Sequence, residues 1–385
     1  MNPLKAPPEG KIFYLFGYPV AHSAAPALHN LCFANWSQQT PLNTYEIWST
    51  SKVTDAVIQT LSRDDCGGSA VTMPIKAAII PFLDEVSPES RITGACNTIV
   101  KVPTNSGYKL VGQNTDILGV RNALLRALRS QFPRMEIPSE ASYPSYLGAG
   151  GVIIGGGATS RSSAHALTLL GLTPLFLVNR DRAEVRAVQE SLPHLDIIHL
   201  QSPDDVETYL GQPDSVKVLM VVGAIPSTPP ATPQERLVYS IVSTVLTIPY
   251  LKPEAPSEGL PIPERRIFLE MAVQTMLALL AQPWRMDGMV SMVSRHVPRS
   301  RTSNFVNSVY YKAMIEQGLA QQRMWYMSSP TLQVGSDERI FGPELEQSVR
   351  ELCENMGDVV VSGEEVDKAM GKDSATQPYA RRSAL

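Results

Sequence analysis

Short apolar runs alternate with amphipathic stretches along most of this chain. Residues 12–16 form a compact apolar run that reads as a strand; the chain then turns through Gly17 and Pro19 and restarts as a helix near Pro26, a proline at a first-turn position. Residues 69–72 read as the end of a second buried strand. Pro74 then opens a stretch whose apolar positions, Ile75, Ala78, Ile79, Phe82 and Leu83, fall at helical spacing, which predicts a helix with Lys76 in its first turn. Residues 99–102 and 108–111 read as strands on either side of a Pro-Thr-Asn-Ser-Gly turn, a hairpin. After Asp116, the residues Ile117, Val120, Leu124, Leu125 and Leu128 share one helical face.

Periodicity is lost over residues 129–150, a Pro-, Ser-, Tyr- and Gly-rich stretch that reads as a linker or surface insertion. A different grammar follows. Residues 152–154 predict a short buried strand, 155–161 a glycine-rich turn, 162–170 a helix with Gly171 just past its end, and 175–178 the next strand. Strand, turn, helix and strand in that compass make a βαβ unit. Residues 218–222 read as another strand, 226–264 as a proline-dense surface excursion, and 267–272 as a last strand. Residues 343–356 form an amphipathic segment, with Leu345, Val349 and Leu352 on one face, expected to return and pack on the first domain. Residues 362–385 are polar, and disorder is expected there.

Composition narrows the function class. The 385 residues carry 18% charged and 43% hydrophobic positions and a net charge of −4, the balance of a globular protein with room for two cores and no basic stripe for nucleic acid. No apolar run approaches a bilayer span, and the polar, proline-rich start does not read as a signal peptide, so a cytoplasmic protein without membrane or nucleic-acid partners is expected. The 4 cysteines lack paired spacing and the 6 histidines lack a ligand pattern, so neither a disulfide framework nor a metal site is expected.

Several positions carry candidate chemistry. Ser23 and His22 fall on a strand-to-helix loop, where an α/β domain offers polar groups to a small anion. Lys76, at the positive end of its predicted helix, is electrostatically out of place as decoration, although locally it also reads as an exposed surface lysine. Asp116 reads locally as a helix N-cap. Gly155, Gly156 and Gly157, followed by Ala158 and Thr159, fit a turn that lets backbone approach a pyrophosphate at a helix N-terminus; a tight structural turn is the alternative. At the end of the next strand a carboxylate suits an unphosphorylated ribose and an arginine suits a 2′-phosphate. The chain reads Asn179-Arg180-Asp181-Arg182 there, with Asp181 opposing a phosphate if it faces inward.

Four stretches, in order, carry a family resemblance. They are Gly17-Tyr18-Pro19-Val20-Ala21-His22-Ser23-Ala24-Ala25-Pro26-Ala27-Leu28-His29-Asn30, Ala70-Val71-Thr72-Met73-Pro74-Ile75-Lys76, Gly94-Ala95-Cys96-Asn97-Thr98 and Gly112-Gln113-Asn114-Thr115-Asp116. They resemble the G-x-P-x-x-H-S-x-S-P-x-x-H-N, N-V-T-x-P-x-K, G-A-x-N-T and G-x-N-T-D motifs of the shikimate dehydrogenase family, which also includes quinate dehydrogenases. The turn at 155–161 resembles that family's G-A-G-G-[TA]-[SA]-R, and 317–325 its closing Q-[GA]-x-x-x-x-x-x-W helix, so the likeness covers roughly residues 11–356. Ala25 and Ala70 stand where the family has serine and asparagine. Both remove polar groups beside the expected substrate pocket and bear on the substrate more than on the reaction. Asp287-Gly288, which the family places just before the glutamine motif, stands far from it here, so an insertion over 285–308 is expected.

The resemblance implies two α/β domains. One is a substrate domain with a mixed sheet over 1–127, completed by 303–356; the other is a Rossmann-like dinucleotide-binding domain over 128–302; residues 357–385 form a flexible tail. It implies reversible, NADP-dependent interconversion of 3-dehydroshikimate and shikimate, or of the quinate pair, within aromatic amino acid biosynthesis or quinate metabolism. Lys76 and Asp116 would handle the proton, Ser23 would hold the substrate carboxylate, and Thr72, Asn97 and Gln317 would read ring hydroxyls. Asn179, Arg180 and Arg182 resemble an NADP clamp, with NAD the other candidate cofactor, and Ala224 lies in a loop resembling the one near the nicotinamide. The partner implied is a small hydroxy-carboxylate, and the protein is expected to be a monomer or homodimer. A non-catalytic ligand sensor with the same fold is the competing reading; the intact Lys76, Asp116 and glycine turn count against it.

Overall fold

The computed structural model describes residues 10–21, 23–36, 43–131, 149–212, 214–224, 230, 232–247, 309–328, 341–355 and 377–378. The chain forms two compact units, Met1–Thr115 with Ile315–Leu385, and Asp116–Met314.

In the first unit, β1 (Ile12–Gly17), β2 (Thr44–Ser49) and β3 (Cys66–Val71) run parallel with β1 in the middle. β4 (Glu85–Val86) lies at the far edge, and the hairpin β5 (Thr98–Thr104) and β6 (Gly107–Gln113) joins it antiparallel to β3, giving a mixed sheet. Side chains alternate across β1 with the period of two that a strand imposes. Tyr14 and Phe16 belong to a core with Val57 and Leu61 of α2 (Asp55–Ser62) and with Ile75 and Ile79. Phe13 instead lies 4.7 Å from the ring of Phe33 on α1 (Ala25–Trp36) and 4.9 Å from that of Trp325. The short α3 (Pro88–Thr93), capped by the Ser87 side chain, sets up the turn into β5.

The helix expected after Pro74 does not form. Its backbone bonds run mostly from i to i−3, as Ile75 to Thr72, Ile80 to Ala77 and Leu83 to Ile80, and the regular part is a 3₁₀ turn, Ile80–Phe82. Pro81 inside the stretch lacks the N–H and crowds the preceding turn, so an α-helix cannot continue through it. The apolar spacing still marks burial at Ile75 and Ile79, while Phe82 is exposed. Lys76 therefore sits in a turn, not at a helix N-terminus.

The second unit opens with α4 (Asp116–Gln131), which buries Ile117, Leu124 and Leu125. Its sheet is all parallel in the order β10-β7-β8-β9, built from β7 (Ala149–Ile154), β8 (Leu175–Val178), β9 (Ile197–Leu200) and β10 (Lys217–Gly223). This is the strand order of a Rossmann-like half, in which order reverses between the first strand and the fourth. Between β7 and β8 runs α5 (Ala158–Leu169), which starts four residues before the predicted helix, at the glycine turn itself. α6 (Arg182–Ser191) and α7 (Pro203–Leu210) complete the crossovers.

The expected surface excursion over 226–264 contains a core helix, α8 (Pro233–Thr247). Its Val238, Ile241, Val242 and Val245 pack with Val152, Phe176 and Val178 of the sheet and Val206 of α7. The start is a capping box: the Thr232 Oγ1 accepts from the Glu235 amide at 3.2 Å, and Glu235 Oε2 accepts from the Thr232 amide at 3.0 Å. Burial of four branched side chains on one helical stripe outweighs the local proline content, which only marks where the helix begins.

Two further helices close the described chain. α9 (Val309–Met327) carries the glutamine motif and buries Ile315, Leu319, Trp325 and Tyr326. α10 (Pro343–Asn355) lies against α1, as expected, with Leu345 and Val349 buried and Arg350 2.7 Å from Glu316. β11 (Gln377–Pro378) adds an antiparallel edge to β2, within the tail for which disorder was expected. The strand expected at 267–272, the insertion expected at 285–308 and His22 lie outside the described residues. No described helix is long and apolar enough to cross a membrane.

Candidate active site

Four loops meet at one edge of the first sheet because of strand direction alone. β1 and β3 are parallel, so the loops after Gly17 and Val71 leave the sheet at the same end. β5 runs against β3, so it begins there, and β6 runs against β5, so it ends there. Backbone bonds stitch the loops together: Tyr18 N–H donates to the Met73 carbonyl at 2.8 Å, Val71 to Asn97 at 2.8 Å, Cys96 to Lys76 at 2.8 Å, and Asn97 to Gln113 at 3.0 Å. Gly17 permits this approach. Its φ is +155°, and a Cβ there would strike the Thr72 methyl and lie 2.8 Å from the Met73 carbonyl. Ligands bind outside the carboxyl ends of strands in such sheets, which is this edge.

The structure brings Ser23, Thr72, Lys76 and Asn97 to that edge. Ser23 Oγ accepts from the Ala25 amide at 3.2 Å, which holds the hydroxyl at the start of α1. Asn97 is fully buried, and its Oδ1 accepts from the Thr115 amide at 2.8 Å, from Thr98 Oγ1 at 2.8 Å and from Thr115 Oγ1 at 3.1 Å. The Asn-Thr and Asn-Thr-Asp motifs thus form one buried network. Asp116 follows directly as the first residue of α4 and is buried; it is counted with the second unit.

α9 contributes residues that the sequence reading did not single out. Gln321 is buried, and its Nε2 donates to the Asn97 carbonyl at 3.1 Å and to Thr98 Oγ1 at 2.9 Å. Gln317 lies one helical turn earlier on the same face and is half-buried. Trp325 Nε1 donates to the Ile99 carbonyl at 3.0 Å, anchoring the same strand further along. The spacing of four between Gln317 and Gln321 was the available cue.

The second half of the first motif is structural. Asn30 Oδ1 accepts from the Tyr45 amide at 2.8 Å. His29 is buried, stacks on Tyr45 at 4.3 Å and has its Nδ1 2.8 Å from Gln322 Nε2. Burial pushes its imidazole from 6.5 down to about 3, so it stays neutral in the folded protein. The unfolded chain takes up that proton below 6.5, so stability falls as the pH drops from 6.5 towards 3. Between pH 7 and pH 5 the loss from this group is about 2 kcal/mol. Urea melts of the protein and of His29→Gln at both pH values should show that much less acid sensitivity in the variant; equal sensitivity would mean that His29 protonates while folded.

In the second unit, the glycine turn falls at the switch point between β7 and β10. The Ala224 amide donates to the Ile154 carbonyl at 2.7 Å. Gly155 has a φ of +129°, and a Cβ there would lie 2.6 Å from the Ala224 carbonyl, so only glycine fits. Gly157 is the N-cap of α5, and a Cβ on it would meet nothing within 4 Å; open space therefore lies beside the amides of Ala158 and Thr159 in the first helical turn. That arrangement fits a dinucleotide pyrophosphate. At the end of β8, Asn179 Nδ2 donates to Glu184 Oε2 at 2.7 Å, and Arg180 forms an ion pair with Glu235. Asp181 is the N-cap of α6, its Oδ1 accepting from the Ala183 amide at 2.7 Å and from Glu184 at 3.4 Å, which accounts for the carboxylate there. Arg180, Asp181, Arg182, Thr232 and Gln234 line an open depression.

Residues 15–99 match the family described as the shikimate dehydrogenase substrate binding domain. The chain is 29% identical over 320 residues to the pentafunctional AROM polypeptide of Schizosaccharomyces japonicus, a match covering 82% of this chain and 17% of that polypeptide. It is 33% identical over 215 residues to the AROM polypeptide of Schizosaccharomyces pombe, covering 56% of this chain and 12% of that one. The chain thus spans less than a fifth of the length of these curated relatives. A solved structure, the dehydroquinate dehydratase and shikimate dehydrogenase from S. pombe AroM, shares the fold at a TM-score of 0.55 and 23% identity, over 90% of this chain and 53% of that one. Four ordered motifs converge on one edge of the first sheet, and the chain is similar to the shikimate dehydrogenase family, over residues 15–99 by the family match and more widely by its AROM relatives.

Proposed function

We propose that the protein is an oxidoreductase that interconverts 3-dehydroshikimate and shikimate, or the corresponding quinate pair, with NADP as the preferred cofactor. The observation that carries this reading is the convergence of Ser23, Thr72, Lys76 and Asn97 at one stitched edge, in a chain whose second unit has an open glycine turn at its switch point.

The roles follow from the chemistry of each group. The Ser23 hydroxyl donates to the substrate carboxylate, a charge-assisted bond. Asn97, fixed by its three acceptor bonds, presents one geometry to a ring hydroxyl, and Thr72 and Gln317 read the others. Lys76 and Asp116 hold and move the proton at the reacting oxygen as general acid and base. When bound, the nicotinamide supplies or takes the hydride. The domain division proposed is that of a substrate unit and a cofactor unit.

Two experiments bear on this reading. Shikimate at about 100 times its Kd should stabilise the protein by about 2.7 kcal/mol in a thermal melt, and its methyl ester should not. Equal stabilisation by acid and ester would remove Ser23 from carboxylate binding. Arg180→Ala should weaken NADP by about 1.5–3 kcal/mol, roughly 10- to 150-fold, and leave NAD almost unchanged in calorimetric titrations. Equal weakening of both cofactors would take Arg180 out of 2′-phosphate recognition.

A further inference from the structure

We infer that Glu235 sets how strongly this site discriminates between a 2′-phosphorylated and an unphosphorylated adenosine ribose; this rests on the dinucleotide reading above. In a dinucleotide fold, the group at the end of the second strand meets the ribose 2′ position. Here that strand ends in Asn179 and Arg180, and the carboxylates that follow it are engaged in local bonds. Asp181 is consumed as a helix cap, and Glu184 holds the Asn179 amide. The carboxylate arrives from elsewhere: Glu235, 55 positions along the chain, pairs with Arg180.

The position of Glu235 is fixed by the start of its own helix. Oε2 accepts from the Thr232 amide at 3.0 Å while the Glu235 amide donates to Thr232 Oγ1 at 3.2 Å, so the carboxylate is held at the first turn of α8 with Oε1 on the guanidinium. Thr232 and Gln234 from that turn line the depression together with Arg180, Asp181 and Arg182. A 2′-phosphate arriving there must take Arg180 from Glu235 and then sit beside the carboxylate it displaced. A ribose 2′-hydroxyl meets no such opposition and can donate to Glu235. The pair is about half-exposed on the arginine side, and exposed pairs of this kind are weak, so the exchange is possible but lowers the preference for the phosphate.

The test uses Glu235→Gln, because glutamine keeps the capping box while removing the charge. Calorimetric titrations of the full chain with NADP, NAD, 2′,5′-ADP and 5′-AMP separate the phosphate from the rest of the cofactor. The variant should bind NADP and 2′,5′-ADP about three- to tenfold more tightly, bind NAD and 5′-AMP no more tightly than before, and melt at the wild-type temperature. An unchanged ratio of NADP to NAD affinities, or an equal shift in both, would overturn the role of Glu235 while leaving the dinucleotide site standing. So would a drop in melting temperature matching that of Glu235→Ala with no change in selectivity, since the residue would then be a helix cap alone. If the wild-type chain binds none of the four nucleotides, the dinucleotide reading falls and this inference with it.

Discussion

Lys76→Ala and Asp116→Ala should each lower kcat by at least about 10²- to 10⁴-fold, the contribution of a positioned general acid or base. Lys76 sits in a turn whose carbonyl accepts from Cys96, a bond that alanine keeps, so this variant should retain the wild-type melting temperature. Asp116 is buried at the first position of α4, and its loss can also disturb the helix start. Asp116→Asn preserves the shape and much of the hydrogen bonding while removing the charge and the basicity. The expected result is a folded Asp116→Asn protein with the same large loss of turnover. Near-native kcat in either position's variant would remove that residue from proton transfer. An Asp116→Ala protein that unfolds, beside an Asp116→Asn protein that turns over normally, would assign the aspartate to the helix end.

Trp325→Ala carries the largest expected cost to stability. The side chain is fully buried, its ring lies 4.9 Å from Phe13 and 5.1 Å from His29, and its indole N–H satisfies the Ile99 carbonyl. Truncating a buried tryptophan costs about 3–5 kcal/mol, and leaving a buried carbonyl unpaired adds about 1–3. Against a total stability of about 5–15 kcal/mol, that is enough to unfold a large fraction of the protein at 37 °C. Trp325→Phe, which keeps most of the ring packing, should cost less than half as much. Urea melts followed by far-UV circular dichroism give both values, and a cost below about 1.5 kcal/mol for the alanine variant would mean that this aromatic cluster does not hold α9 to the sheet.

β1, β3, β10, the β5–β6 hairpin and the β7–α5–β8 unit were legible because their apolar residues are contiguous and their turns are marked by glycine and proline. β2, β4 and β9, short strands that mix polar and apolar residues or span only two positions, were not. Segment 74–83 misled for a physical reason. Ile75 and Ile79 are spaced as on a helix because they share a buried face, but Pro81 forbids the α-helical bonds that the spacing suggests. α8 was hidden by the opposite error. Prolines at 226, 229, 230 and 233 dominate the local composition, yet Thr232-Pro233-Gln234-Glu235 is a capping box, and Val238, Ile241, Val242 and Val245 follow at i, i+3, i+4 and i+7. The four site loops could be read one by one, but their convergence depends on sheet direction. The bonds from Gln321 to Thr98 and from Gln322 to His29 span 223 and 293 residues, beyond the reach of any local pattern.

The central claim is tested most directly by mixing the purified chain with shikimate or quinate and either NADP or NAD, and following absorbance at the nicotinamide band. The account predicts reduction of the cofactor with at least one of the two acids, a higher kcat/KM with NADP than with NAD, and loss of the signal in Lys76→Ala. Binding of shikimate or quinate without any cofactor reduction would contradict it and would make the chain a ligand sensor built on a dehydrogenase fold.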